Sequence, residues 1–141
     1  MLRLVLRLNA SFTAAGEALA RPAGQSLARW VVLDQCRDDP APVAEIARRL
    51  GQARQSVQRI ADLLAEDELC AWRDNPRHQR AKLLELTSEG RAVLYAIDAA
   101  QRRWCDATGE LVGEAALRRT AAGLREVIDA VDSARQAVRP A

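Results

Sequence analysis

Histidine is almost missing from this 141-residue chain: His78 stands alone, so the common His-based zinc sites cannot be assembled from it. The three cysteines, Cys36, Cys70 and Cys105, are far apart in sequence, odd in number and never spaced C-x-x-C. That fits neither a disulfide framework nor a zinc ribbon. The longest uncharged run, Leu8 to Gly16, is nine residues, whereas a membrane span needs about 20. Arg3 and Arg7 interrupt the leucine-rich start, so it lacks the unbroken apolar stretch of a signal peptide, and a cytoplasmic protein is expected. The phosphate-binding, dinucleotide-binding, nucleophile-elbow and zinc-protease motifs are all absent, so no catalytic residue, metal or cofactor is expected and an enzyme is the least favoured class.

What is present is the mixture of a globular domain, with 49% apolar and 28% charged residues. The net charge is only +2, but it is unevenly spread. Arg48, Arg49, Arg54 and Arg59 have no acidic residue among them, and Arg73, Arg77, Arg80 and Lys82 have only Asp74 nearby. Two basic islands in a near-neutral chain suit a local phosphate-binding face; arginines that merely solvate exposed helices would look the same.

Apolar residues three to four apart (Leu4, Leu8, Phe12, Ala15, Leu19) predict a helix over 2–20, broken at Arg21-Pro22-Ala23-Gly24. A second helix is predicted over 25–37, followed by a turn at 38–42 with Pro42 suited to start the next helix. A short helix to Leu50, a turn at Gly51 and a helix over 53–67 come next. Leu69 to Arg73 and Ala81 to Leu86 are strand candidates around the polar loop 74–80. Thr87 is a good N-cap for a helix through Trp104, which Thr108-Gly109 is expected to break. A final helix over about 114–138 places Leu117, Leu124, Val131 and Val138 seven apart.

Val43 to Ile60 carries the clearest functional signal. Ile46 and Leu50 share one helix face and Val57 and Ile60 another; Ala47 is small enough for a close helix crossing, and Gly51 permits a left-handed turn. This is a helix-turn-helix pattern, although an ordinary helical hairpin has similar corners. The outward side chains of the second helix are Arg54, Gln55, Ser56, Gln58 and Arg59, with Arg49 on the helix before it. Arg can bond bidentately to guanine and Gln to adenine. Gln52 stands where such motifs usually carry an apolar residue.

With the following strand, basic loop and second strand, the chain resembles the MarR family of bacterial transcriptional regulators. The most specific part is Asn75 to Gly90, which is similar to the family's wing, second strand and L-T-x-x-G motif. The resemblance implies a mainly α fold with a small β-wing: a winged helix-turn-helix core over 25–90, flanked by dimerisation helices over 1–20 and 110–138, all in one domain. It also implies that Arg77 and Arg80 reach DNA from the wing, Arg80 lying at the family's wing-tip arginine. His78 replaces the acidic residue usual two positions before that arginine, so the wing contact is expected to be pH-sensitive near the imidazole pKa of about 6.5. Glu68 replaces a usual Gly where the recognition helix meets the first strand, which is expected to strain that turn or shift it by one position.

The function implied is a sequence-specific double-stranded-DNA-binding regulator, a ligand-responsive repressor acting as a homodimer on a palindromic operator. The apolar Leu2, Leu4, Val5, Leu6 and Leu8 and the heptad spacing near the C-terminus agree with a dimer, or with helices that cover the chain's own core. A small aromatic ligand would have Trp30, Tyr95 and Trp104 available, unless these are plain core residues. No cysteine lies where the family's thiol sensors carry theirs, near the start of the first helix, so the three thiols are expected to be buried and inert. A winged-helix adaptor that binds protein and not DNA is the alternative.

Overall fold

A computed structural model describes residues 1–76 and 81–137. The elements run α1 (Leu2–Ala20), a 3-10 turn (Arg21–Ala23), α2 (Leu27–Asp34), β1 (Ala41–Pro42), α3 (Val43–Leu50), α4 (Arg54–Glu66), β2 (Cys70–Arg73), β3 (Leu83–Leu86), α5 (Ser88–Val112) and α6 (Glu114–Ala137). The protein is mainly helical with a small antiparallel sheet, as the sequence predicts. Residues 1–101 form one compact unit and residues 102–141 a second.

The sheet is ordered β1-β3-β2. Cys70 pairs with Leu86 and Trp72 with Leu84 across β2 and β3, while Ala41 pairs with Leu84 and Pro42 with Leu83 across β1 and β3. β1 was not foreseen, because Ala41-Pro42 reads locally as a turn. Proline has no N–H to give a ladder, and an edge strand is where it is tolerated.

Beneath the sheet and three helices lies one core. Val32 and Leu33 of α2, Ile46 of α3, Val57, Ala61 and Leu64 of α4 and Leu84 of β3 are all fully buried. In α4 these three recur at four- and three-residue spacing, so one stripe faces inward and the opposite stripe faces out. Leu50 and Ile60 are half-buried against the same cluster.

Several boundaries follow from local chemistry. The Ser26 side chain accepts a hydrogen bond from the Arg29 N–H at 3.3 Å and starts α2. α2 ends at Asp34, three residues before the predicted end, where Cys36 and Arg37 N–H groups bond the carbonyls of Leu33 and Asp34 in a turn. The Thr87 hydroxyl accepts from the Gly90 N–H at 3.0 Å, which makes Thr87 the expected cap of α5.

One expectation is corrected: Thr108-Gly109 does not break the helix. α5 continues to Val112 and stops where Gly113 takes φ +83°. Glycine inside a helix costs only about 1 kcal/mol, and a glycine ends a helix where it takes the left-handed conformation, as Gly113 does.

Candidate nucleic-acid interface

The corner between α3 and α4 closes as its sequence dictates. Gly51 sits at φ +63°, and the Gln52 N–H bonds back to the Ala47 carbonyl at 2.9 Å. This paired closure satisfies the last carbonyls of α3 and turns the chain sharply. Ala47 is buried at the crossing of the two helices, while Gln52 is exposed. The motif's usual apolar position therefore has nothing to bury here.

Arg54, Gln55, Ser56 and Arg59 are exposed on α4, opposite the buried Val57, Ala61 and Leu64. The first turn of α4 contains no acidic residue and no side-chain cap, so its free N–H groups and positive helix end add to the charge of Arg54. Gln58 is half-buried and its amide donates to the Asp62 carboxylate at 3.0 Å. On α3, Arg49 is exposed and paired with Glu45 one turn back. Arg48 beside it is exposed as well.

Between α4 and the base of the wing lies a cleft of about 410 Å³, lined by Arg54 and Gln58 on one side and Trp72 and Lys82 on the other. Sequence separation hides this arrangement: Arg54 and Gln58 meet Trp72 and Lys82 only because β2 and β3 return beside the helix. Arg73 of β2 is exposed and paired with Glu85 of β3. The expected wing residues Arg77, His78 and Arg80 lie outside the described residues.

The turn from α4 into β2 carries strain at the expected place. Among the described residues, Glu68 is the non-glycine residue at positive φ, +59°. The turn is therefore not shifted; Glu68 itself takes the conformation that glycine tolerates best. Thr87 anchors this turn, its hydroxyl lying 2.8 Å and 2.9 Å from the carbonyl oxygens of Glu68 and Leu69.

The aromatic residues are distributed differently. Trp30 packs half-buried against the core, and Trp104 belongs to the second unit, where it is half-buried. Tyr95 is 73% exposed and borders a pocket of about 310 Å³ with Arg37, Arg91 and Leu94. The Arg37 guanidinium bonds both oxygens of Asp98, at 2.7 and 2.9 Å, and its own carbonyl accepts from Arg91 at 3.2 Å. The Asp98 carboxylate, assisted by Asp34, holds the Arg37 pKa above its ordinary value. Arg29 of α2 reaches Asp67 at the end of α4, at 2.5 Å. Sequence reasoning missed both ion pairs, which join residues far apart in the chain.

One thiol differs from expectation. Cys36 and Cys70 are buried, but Cys105 is exposed. Among the described residues, no group of three His, Cys, Asp or Glu side chains is placed to hold a metal ion, and no helix is long and apolar enough to cross a membrane.

No family model matches the chain. An uncharacterized protein of Mycobacterium bovis and two of Mycobacterium tuberculosis are each 37% identical to it over 131 residues, covering 93% of this chain and 92% of theirs. Among solved structures, a MarR family transcription regulator superposes with a TM-score of 0.81 at 23% identity, over 99% of this chain and 91% of its own. The M. tuberculosis transcriptional regulator MosR, solved in complex with DNA, gives 0.72 at 23% identity over 93% and 97% of the two chains. Staphylococcus aureus MarR, in complex with salicylate and kanamycin, gives 0.81 at 14% over 94% and 90%. The chain belongs to one family with its mycobacterial relatives, and its fold is the winged helix of the MarR-family transcriptional regulators.

Proposed function

We propose that the protein is a sequence-specific double-stranded-DNA-binding transcriptional regulator of the cytoplasm, a homodimeric repressor on a palindromic operator. The observation that carries this reading is the exposed row Arg54, Gln55, Ser56 and Arg59 on α4, held outward by the buried stripe beneath it. These side chains have the hydrogen-bonding capacity to read major-groove base edges. Arg77, His78 and Arg80 on the wing engage phosphate, sugar or the minor groove, and Arg49 contributes a phosphate contact.

The dimer is supported by exposed apolar side chains on α1. Leu2 and Leu4 are 70% and 71% exposed, and Leu6 is more than half exposed. Contiguous patches of this kind mark interaction surfaces. In the second unit Leu111, Ile128 and Val131 are exposed as well. Two-fold symmetry then sets the operator half-sites about one helical turn, ~10 bp, apart.

The ligand that relieves repression is a small aromatic acid. Tyr95 supplies a ring and Arg37 and Arg91 supply cationic groups at the pocket of about 310 Å³, and salicylate accompanies the S. aureus MarR of the same fold. Trp30 and Trp104 are the other aromatic groups of this reading.

Selection of duplexes from a random library tests the proposal. The expected result is a palindromic consensus whose affinity falls steeply between low and moderate salt, as phosphate contacts require. Recovery of no consensus, with no salt-dependent duplex binding, would favour a protein-binding adaptor. Salicylate is expected to release the selected duplex, and a Tyr95→Ala variant to resist that release.

A further inference from the structure

Glu68, in the turn after α4, and Glu89, in the first turn of α5, border one shallow pocket of about 500 Å³ whose apolar wall is Ala65, Cys70, Ala71 and Trp72. Among the described residues, no lysine, arginine or histidine lines it. The cleft beside α4 carries Arg54 and Lys82, and the Tyr95 pocket carries Arg37 and Arg91, so this pocket has the opposite sign. Both glutamates are exposed, and neither forms an ion pair with a described residue. The guanidinium of Arg29 is engaged by Asp67, next to Glu68, at 2.5 Å.

The walls of this pocket are fixed by the fold. The Thr87 hydroxyl, 2.8 Å from the Glu68 carbonyl oxygen, ties the turn that carries Glu68 to the start of α5. Trp72 is half-buried and packs against the core. Glu89 keeps its charge: its own backbone N–H and the Ser88 hydroxyl, which donates at 2.9 Å, hold the carboxyl below its ordinary pKa. Two anions and an indole are thus held around one apolar floor before any ligand arrives, which lowers the ordering cost of binding.

We propose that this pocket binds an organic ammonium ion, its cationic head between Glu68 and Glu89 and its apolar substituent against Trp72. Three features select that chemistry. The two carboxylates attract a cation and repel carboxylates and phosphates. The indole adds a cation–π attraction that a neutral ligand does not receive. The small apolar side chains of Ala65 and Ala71 give an aryl or alkyl group surface to cover, from which a bare metal ion gains nothing. Among the described residues no three His, Cys, Asp or Glu groups are placed to hold a metal, which also favours an organic cation. The volume falls in the range of small-molecule sites.

Binding here requires neither DNA nor the Tyr95 pocket, so calorimetry on the full chain alone tests it, with benzyltrimethylammonium as the probe. One probe per chain should bind saturably and more weakly as salt rises, while benzyl alcohol and benzoate should not bind at this pocket. Glu68→Gln and Glu89→Gln should each weaken binding by about two- to fivefold. Trp72→Leu should weaken it by about three- to tenfold, and Trp72→Phe by less. Tyr95→Ala should bind the probe like the wild type. The proposal is overturned if no saturable binding occurs, if benzyl alcohol binds as tightly, or if both glutamine variants keep the wild-type affinity. Should Trp72→Leu fail to fold, amide chemical shifts of the wild-type protein decide the location. Displacements at Glu68, Trp72 and Glu89 are expected, and displacements confined to Arg37, Arg91 and Tyr95 would overturn it.

Discussion

Gly90, in the first turn of α5, lies so close to Leu69, just before β2, that a Cβ built on it would sit 2.1 Å from the Leu69 carbonyl oxygen. The same carbonyl receives the Thr87 hydroxyl at 2.9 Å and the Thr87 N–H at 3.2 Å. The glycine of the L-T-x-x-G motif is thus explained by clearance: the helix start and the strand start share one contact.

Gly90→Ala is expected to destabilise the protein by at least about 2 kcal/mol, because the obstacle is backbone and cannot rotate away. Gly123→Ala is its control, since nothing lies within 4 Å of the added atom in the exposed middle of α6. That change should stabilise by about 0.5–1 kcal/mol through helix propensity. Urea unfolding midpoints for both variants check the contrast, and equal effects would refute it.

Glu68→Gly should stabilise the fold by about 1 kcal/mol, relief of the left-handed backbone outweighing the added freedom of the unfolded chain. Glu68→Val should do the opposite, since a branched side chain is least tolerant of φ +59°. Thermal melting of the three proteins at one concentration distinguishes them.

On the DNA face, Arg54→Ala and Gln55→Ala are expected to cost about 1–3 kcal/mol per half-site on the selected duplex and less on a mismatched one. Arg80→Ala should weaken both duplexes alike and reduce the log–log salt slope by about one unit for each lost phosphate contact. Gln58 is held by Asp62 in the free chain, so Asp62→Ala should alter base preference at the position Gln58 meets while leaving the salt slope nearly unchanged. Affinities on matched and mismatched duplexes at two salt concentrations test all four. An unchanged specificity ratio for Arg54→Ala and Gln55→Ala would remove α4 as the reading helix.

Without DNA, sedimentation at micromolar concentration should give about twice the chain mass of 15.5 kDa. Deleting residues 1–20 should produce aggregation, because the partner's apolar surface loses its cover. A clean monomer of the full chain would contradict both the dimer and the palindromic operator.

Much of this architecture is set by short-range rules and is legible in the sequence. Leu2–Ala20 has the predicted helical bounds, Gly51 occupies the left-handed corner, Thr87 caps α5, and Glu68 bears the strain expected of a side chain at a glycine position. Each depends on residues within about one turn of one another, where periodicity, capping and backbone preference suffice. Even the mistaken stop at Gly109 is a local ambiguity, for a helix accepts an internal glycine and ends at one only when the chain turns left-handed. Tertiary structure alone decided the rest. It gave Ala41-Pro42 a strand partner in β3, tied Arg37 to Asp98, and set Trp72 and Lys82 opposite Arg54. None of these pairs is encoded by spacing. They form because burying the inner stripes of α2, α3 and α4 under a small sheet leaves one way for distant segments to meet, and burial follows the whole chain's packing.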